Sequence, residues 1–288
     1  MDGYVGGSTM QQRYLDHVME QPWQAYSSAD HATWRTLFAT QSRILQGRAC
    51  DEFIDGLHGL DMAADGIPRF DALSELLEAA TGWRIVAVPG LVPDDVFFGL
   101  MANRRFPVSW WIRKADQMDY LQEPDVFHDV YGHVPLLMNP VFADFMQGYG
   151  EGGLRSGRFN ALTRLARLYW YTVEFGLINT AQGLRIYGSG ILSSKGESIY
   201  SLESAAPNRV QFDLKRVMRT RYRIDTFQKT YFVIDNFRDL FNATAADFAP
   251  LYQELTQCED VGAGVLLAGD KILQRGNGEG WSDAGDTG

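Results

Sequence analysis

The sequence predicts a mainly α (α+β) fold, a single domain of packed helices with a few short strands. Three observations predict it. Apolar residues recur at helical spacing over much of the chain, strand-like runs are short and far apart, and neither an internal repeat nor a Gly/Pro/Ser-rich linker divides the chain. Hydrophobic residues make up 45% and aromatic residues 13% of the 288, enough for a large core and too many for a disordered chain.

Each element follows from a local signal. Trp34, Leu37, Phe38, Ile44 and Leu45 give an apolar helix face across 31–46, and Phe53, Ile54 and Leu57 give a second. The run from Phe70 to Ala80 is a third helix, with Gly82 placed to end it. The stretch Trp83 to Val88 reads as a strand closed by Pro89 and Gly90. A short helix from Pro93 to Asn103 leads to a second strand, Phe106 to Ile112. Residues 113–135 read as a loop carrying a short helix that starts near Pro124. Helices are expected at 140–149 and 160–181, with the glycine-rich run Gly148 to Gly153 as the turn between them. Arg185 to Ser204 reads as loop with short extended pieces. Helix returns at 211–221, then a strand at Tyr231 to Ile234 and a helix from Ala246 to Gln257. Residues 1–19 read as an N-terminal extension. Residues 258–288, rich in Gly and Asp with one weak apolar patch at Val265 to Leu267, read as a disordered tail.

Charge narrows the function classes. With 26 basic against 36 acidic side chains, the net charge of −10 argues against a nucleic-acid partner. No stretch approaches the ~20 apolar residues that span a bilayer, so no membrane partner is expected. The start lacks a secretory pattern and two cysteines cannot build a disulfide framework, so a cytoplasmic protein is expected.

Chemistry concentrates in Pro124-Asp-Val-Phe-His-Asp-Val-Tyr-Gly-His133. Imidazole is the commonest neutral metal ligand. On an ideal α-helix residues i and i+5 stand about 140° apart, so His128 and His133 converge only if the helix breaks between them. Gly132 and Pro135 supply that break. The spacing also differs from the zinc protease His-Glu-x-x-His pair. A third candidate is Glu174, alone among Trp170, Leu177 and Ile178 on an apolar helix. A buried carboxylate is costly unless paired or bound to metal. A structural ion pair to Arg164 or Arg167 would also satisfy it. Two histidines and a carboxylate match the facial triad of non-haem Fe(II) oxygenases, although zinc could use the same ligands.

Three stretches, Pro124 to Leu136, Tyr169-Trp-Tyr-Thr-Val-Glu-Phe-Gly-Leu177 and Tyr187-Gly-Ser-Gly-Ile-Leu-Ser-Ser-Lys-Gly-Glu197, together resemble the pterin-dependent aromatic amino acid hydroxylases. The resemblance runs from about residue 20 to 255, the family's catalytic domain, placed here at 20–257. It is strongest to short bacterial members acting on phenylalanine. It implies para-hydroxylation of L-phenylalanine to L-tyrosine by a monomer, with Fe(II), O2 and tetrahydrobiopterin or a related tetrahydropterin. By the same resemblance His128, His133 and Glu174 would bind iron. Arg113 would grip the substrate carboxylate, held by Asp125, with Pro124, Trp170 and Phe175 framing the ring. Gly190 and Ser193 would line the amino acid site, Ser193 near His128. The pterin would lie over Phe97, with Asp129 and Tyr169 alongside. Many members carry Tyr-Thr-Pro-Glu-Pro-Asp before the first histidine. This chain has Tyr120-Leu-Gln-Glu-Pro-Asp125, so a hydroxyl is absent at Leu121. Trp170, and Val233 where tyrosine hydroxylases are acidic, point to phenylalanine. The alternatives are a tryptophan or tyrosine hydroxylase of the same family, or a zinc-dependent hydrolase on the same ligands.

Overall fold

The computed structural model describes residues 14–118, 123–159, 161–245 and 248–281. Helix α1 (Ser28–Ile44) begins at a capping box, where Ser27 and Asp30 satisfy each other's backbone N–H groups. Helix α2 spans Asp51–Gly59, and α3 spans Phe70–Thr81 and ends on Gly82 in the left-handed conformation, as its sequence predicts. Strand β1 (Arg84–Val88), helix α4 (Asp94–Ala102) and strand β2 (Arg105–Ser109) form a parallel crossover unit, Ile85 opposite Phe106 and Ala87 opposite Val108.

Two segments diverge from ordinary α-helix where the chemistry sits. Phe127–His133 is π-helical and runs into a 3-10 turn, Val134–Met138. Helix α6 (Leu162–Tyr169) widens into a second π segment, Trp170–Glu174. Between them lies α5 (Pro140–Ser156), capped by the Asn139 side chain.

The second half builds a mixed five-stranded sheet in the order β4-β3-β6-β5-β7. Its strands are β3 (Leu177–Thr180), β4 (Gly183–Ile186), β5 (Asn208–Gln211), β6 (Thr230–Ile234) and β7 (Ile272–Gln274). Short helices α7 (Ser189–Leu192), α8 (Lys195–Glu203), α9 (Leu214–Arg219), α10 (Phe237–Thr244) and α11 (Ala249–Leu255) fill the connections. The core threads through both halves, with Trp34, Trp83, Phe127, Tyr131 and Tyr231 fully buried.

Several expectations are corrected. The glycine run 148–153 is not a turn: α5 passes through it, because α4 packs so close that a Cβ on Gly150 would lie 2.4 Å from the Ala102 nitrogen. Residues 160–181 are not one helix, since the chain leaves the π segment at Glu174 and enters β3. The 185–204 stretch holds α7 and α8 rather than loop, α8 capped by Ser194. Helix 211–221 shortens to α9, with strand β5 before it. Helix α10, which the periodicity alone does not reveal, starts where the Asn236 side chain accepts from the Asp239 N–H. The expected helix start at Ala246 lies outside the described residues.

The tail is the largest correction. Residues 258–281 dock on the domain: Val261 and Ala263 are buried and β7 pairs antiparallel with β5. Composition misleads because Gly278 and Gly280 serve left-handed turns and Asp270 enters a buried ion pair with Arg216 at 2.8 Å. The extension 1–19 likewise docks from Tyr14 on. Tyr14 packs with Val96 and Leu100, and the Met19 N–H donates to the Ala87 carbonyl at 2.9 Å.

Candidate active site

The π-helical turn settles how histidines five apart can meet. Hydrogen bonding from i to i+5 widens the turn, so residues at this separation return to one side of the helix. His128 and His133 present their Nε2 atoms 3.2 Å apart without any break in the helix. Gly132 has a different task from the one its position suggests. A Cβ there would stand 2.9 Å from the Ser189 carbonyl oxygen, so glycine admits α7 against the histidine segment.

The second π segment delivers the carboxylate. Glu174 Oε1 lies 3.1 Å from His133 Nε2, and Oε2 lies 3.6 Å from His128 Nε2. Two donors each at ~2.1 Å from one ion stand about 3.0–3.4 Å apart. The His128–His133 and His133–Glu174 spacings fall in that range and the His128–Glu174 spacing just beyond it, close enough for the three side chains to share a single divalent cation. Among the described residues they are the one set of three such ligands that converges. Arg164 and Arg167, the alternative partners for Glu174, pair with Asp260 instead.

Neighbouring hydroxyls fix the ligands. Ser193 donates to the Ser189 carbonyl at 2.8 Å, so its oxygen accepts from His128 Nδ1–H, also at 2.8 Å, which leaves Nε2 free to ligate. Burial pushes the His128 imidazole down to about 4, keeping it neutral at pH 7. Burial works to raise the Glu174 carboxyl, but the two facing imidazoles and the Ser189 hydrogen bond outweigh it and hold the group at about 2. The Ser189 hydroxyl sits 3.0 Å from the Val173 carbonyl, Glu174 Oε2 and His133 Nε2. The sequence reading misses this residue. Its signal is a serine between Gly188 and Gly190, both of which let α7 approach the Glu174 backbone.

Arg113 and Asp125 form a buried fork, Nε to Oδ2 at 2.8 Å and Nη2 to Oδ1 at 2.9 Å. Asp125 also accepts the Arg113 and His128 backbone N–H groups. Burial opposes ionisation of Asp125, and Arg113 with these N–H groups overrides it and lowers the carboxyl below its ordinary value. Pro124, half-buried, precedes this pair directly. Leu121 lies outside the described residues.

Aromatic rings line both flanks of the triad. Trp170 packs on Phe175 with centroids 4.6 Å apart, and a Cβ on Gly190 would meet the Phe175 ring at 2.9 Å. On the other flank Tyr169 stacks on His133 at 6.2 Å and meets Phe97 edge-on at 5.9 Å. Asp129 accepts the Ser109 N–H at 2.7 Å, and burial pushes its carboxyl up to about 7. Val233 is fully buried in β6 opposite Leu177, three residues past Glu174. Of the sequence-predicted residues, Asp125 and Ser193 bond to His128, Tyr169 stacks on His133 and Gly190 lies against Phe175, the residue after Glu174, whereas Val233 lies within the sheet.

A mainly helical domain with this triad between aromatic walls defines a class: the chain belongs to the biopterin-dependent aromatic amino acid hydroxylases, whose family profile matches residues 9–256. Particular relatives are similar along nearly the whole chain. The phenylalanine-4-hydroxylase of Ralstonia nicotianae is 65% identical over 271 residues, covering 94% of this chain and 87% of that protein. The iron- and phenylalanine-bound crystal structure of Chromobacterium violaceum phenylalanine hydroxylase superposes with a TM-score of 0.86 at 60% identity, covering 91% of this chain and 99% of that one. A second structure of that protein, with iron(III) and 7,8-dihydrobiopterin bound, gives 0.87 at 60%, covering 94% and 100%.

Proposed function

We propose that this chain is a phenylalanine 4-monooxygenase that converts L-phenylalanine to L-tyrosine with O2 and a tetrahydropterin. His128, His133 and Glu174 hold the Fe(II). The observation that carries the reading is the convergence of two imidazoles and one carboxylate, with donor spacings of 3.1–3.6 Å, between aromatic walls. Bound iron and pterin together would supply the two-electron activation of O2.

The chain's own residues do the rest. Arg113, braced by Asp125, offers its guanidinium to the amino acid carboxylate. Trp170 and Phe175, with Pro124 before the ion pair, frame the aromatic ring and exclude water from it. Ser193, beside Gly190, holds His128 in the ligating tautomer. Phe97 and Tyr169 form the platform for the flat pterin, beside Asp129. No helix among the described residues is long and apolar enough to cross a membrane. The reading extends to a cytoplasmic monomer, and the two free cysteines suit a reducing compartment.

Anaerobic loading followed by metal analysis tests the triad. Wild type should hold one Fe(II) per chain and form tyrosine only with O2 and tetrahydropterin, whereas Zn(II)-loaded protein should form none. Glu174→Ala should lose tight iron while remaining folded. Stoichiometric tight iron in that variant would overturn the ligand assignment.

A further inference from the structure

Trp170 is held by two aromatic rings and by a hydrogen bond at its edge. Its indole stacks on Tyr222 with centroids 4.2 Å apart and planes 14° from parallel, and meets Phe175 at 4.6 Å. Its Nε1–H donates to Gln228 Oε1 at 2.9 Å. The Gln228 amide has no freedom to turn, because Nε2 donates to the Arg223 carbonyl at 3.2 Å and to the Thr226 carbonyl at 3.4 Å. That leaves Oε1 as the atom facing the indole. The backbone of Gln228 is fixed as well. Its N–H donates at 3.1 Å to Glu197 Oε1, which also accepts the Tyr231 hydroxyl at 2.6 Å. Gln228 is 3% exposed.

We propose that Gln228 is a specificity-determining positioning residue: through its bond to the indole N–H it fixes the plane of Trp170, and so the width of the aromatic pocket beside the triad. The inference rests on the reading of this site as an aromatic amino acid pocket. An indole free to swing would widen the pocket for a larger ring and contact the phenyl ring less well. Gln228 touches neither ligand set nor Arg113 in this arrangement, so its effect should appear in discrimination and not in metal binding.

The test uses iron-loaded protein and measures equilibrium binding of L-phenylalanine and L-tryptophan by calorimetry. Gln228→Met keeps the shape of the side chain without the acceptor, and Gln228→Asn withdraws the amide by one methylene should the first variant fold poorly. Either should lower the preference for phenylalanine over tryptophan by about three- to tenfold, the equivalent of one net hydrogen bond. Iron content should remain that of wild type. Trp170→Phe removes the donor, so adding Gln228→Met to it should change the preference no further. A preference unchanged within twofold in the single variants, or a further loss in the double variant, would overturn the assignment while leaving the pocket reading intact. Wild-type protein that binds neither amino acid would overturn the pocket reading and this assignment with it.

Discussion

At the residue scale, two groups carry separable consequences. Arg113→Lys keeps a charge but loses the fork that meets both Asp125 oxygens. Disrupting a buried, hydrogen-bonded charge pair costs about 2–5 kcal/mol, so half-saturation for phenylalanine should rise by tens-fold or more. Normal saturation in steady-state kinetics would remove Arg113 from the substrate site. Glu197 gives a pH signature. Burial raises its carboxyl to about 7 despite hydrogen bonds from Tyr231 and Gln228, whereas the unfolded chain releases that proton near ~4.3. The folded chain therefore holds the extra proton between those values, and this group's contribution to stability falls as pH rises through the window. At neutral pH and above the cost is on the order of 3 kcal/mol. Glu197→Gln resembles the protonated form, so its melting temperature relative to wild type should climb between about pH 5 and about pH 8. A constant difference would refute the shift. The triad and the Arg113–Asp125 pair were legible because their residue types are few and their motif is compact. Ser189 and Gln228 were not, since each acts through a partner more than a dozen residues away, at His133 and Trp170.

At the element scale, the sequence tells where a helix lies better than how tightly it is wound. Residues 127–133 and 170–174 have ordinary helix-compatible composition, and their π geometry comes from what they must bring together. Glycine misled twice for a related reason, being read as a breaker where it marks close approach. Helix α5 offers a direct comparison. Nothing lies within 4 Å of a Cβ on Gly148 or Gly152, whereas on Gly150 it would meet the Ala102 backbone. Gly148→Ala and Gly152→Ala should each stabilise the protein by about 0.5–1 kcal/mol by reducing the freedom of the unfolded chain. Gly150→Ala must push α4 away and should cost about 1–3 kcal/mol or more. Urea titration of the three variants checks this, and a stabilised Gly150→Ala would mean that α4 and α5 are further apart than the structure has them.

At the scale of the whole molecule, the C-terminal segment decides whether the domain ends at the last predicted helix. Arg216 and Asp270 are both nearly fully buried and meet at 2.8 Å, and Arg216 also donates to the Val265 carbonyl. Removing residues 262–288 would leave that guanidinium buried without its carboxylate, a change that typically costs about 3–5 kcal/mol. The β7 ladder on β5 would go with it. The damage should not stay at the edge of the sheet. Thr230, which opens β6, donates its hydroxyl to the Ala263 carbonyl at 2.7 Å, and Thr230 lies two residues from Gln228. Truncation should therefore lower the melting temperature and loosen both the strand that carries Tyr231 and the segment before it that carries Gln228, while His128, His133 and Glu174, on the π segments, keep their spacing. Chain 1–261 is expected to retain iron, melt well below the full chain, and discriminate less between phenylalanine and tryptophan. Asp270→Asn should reproduce part of the loss in stability. A truncated chain that melts with the full-length protein would show that the domain closes without its tail, as composition alone suggests.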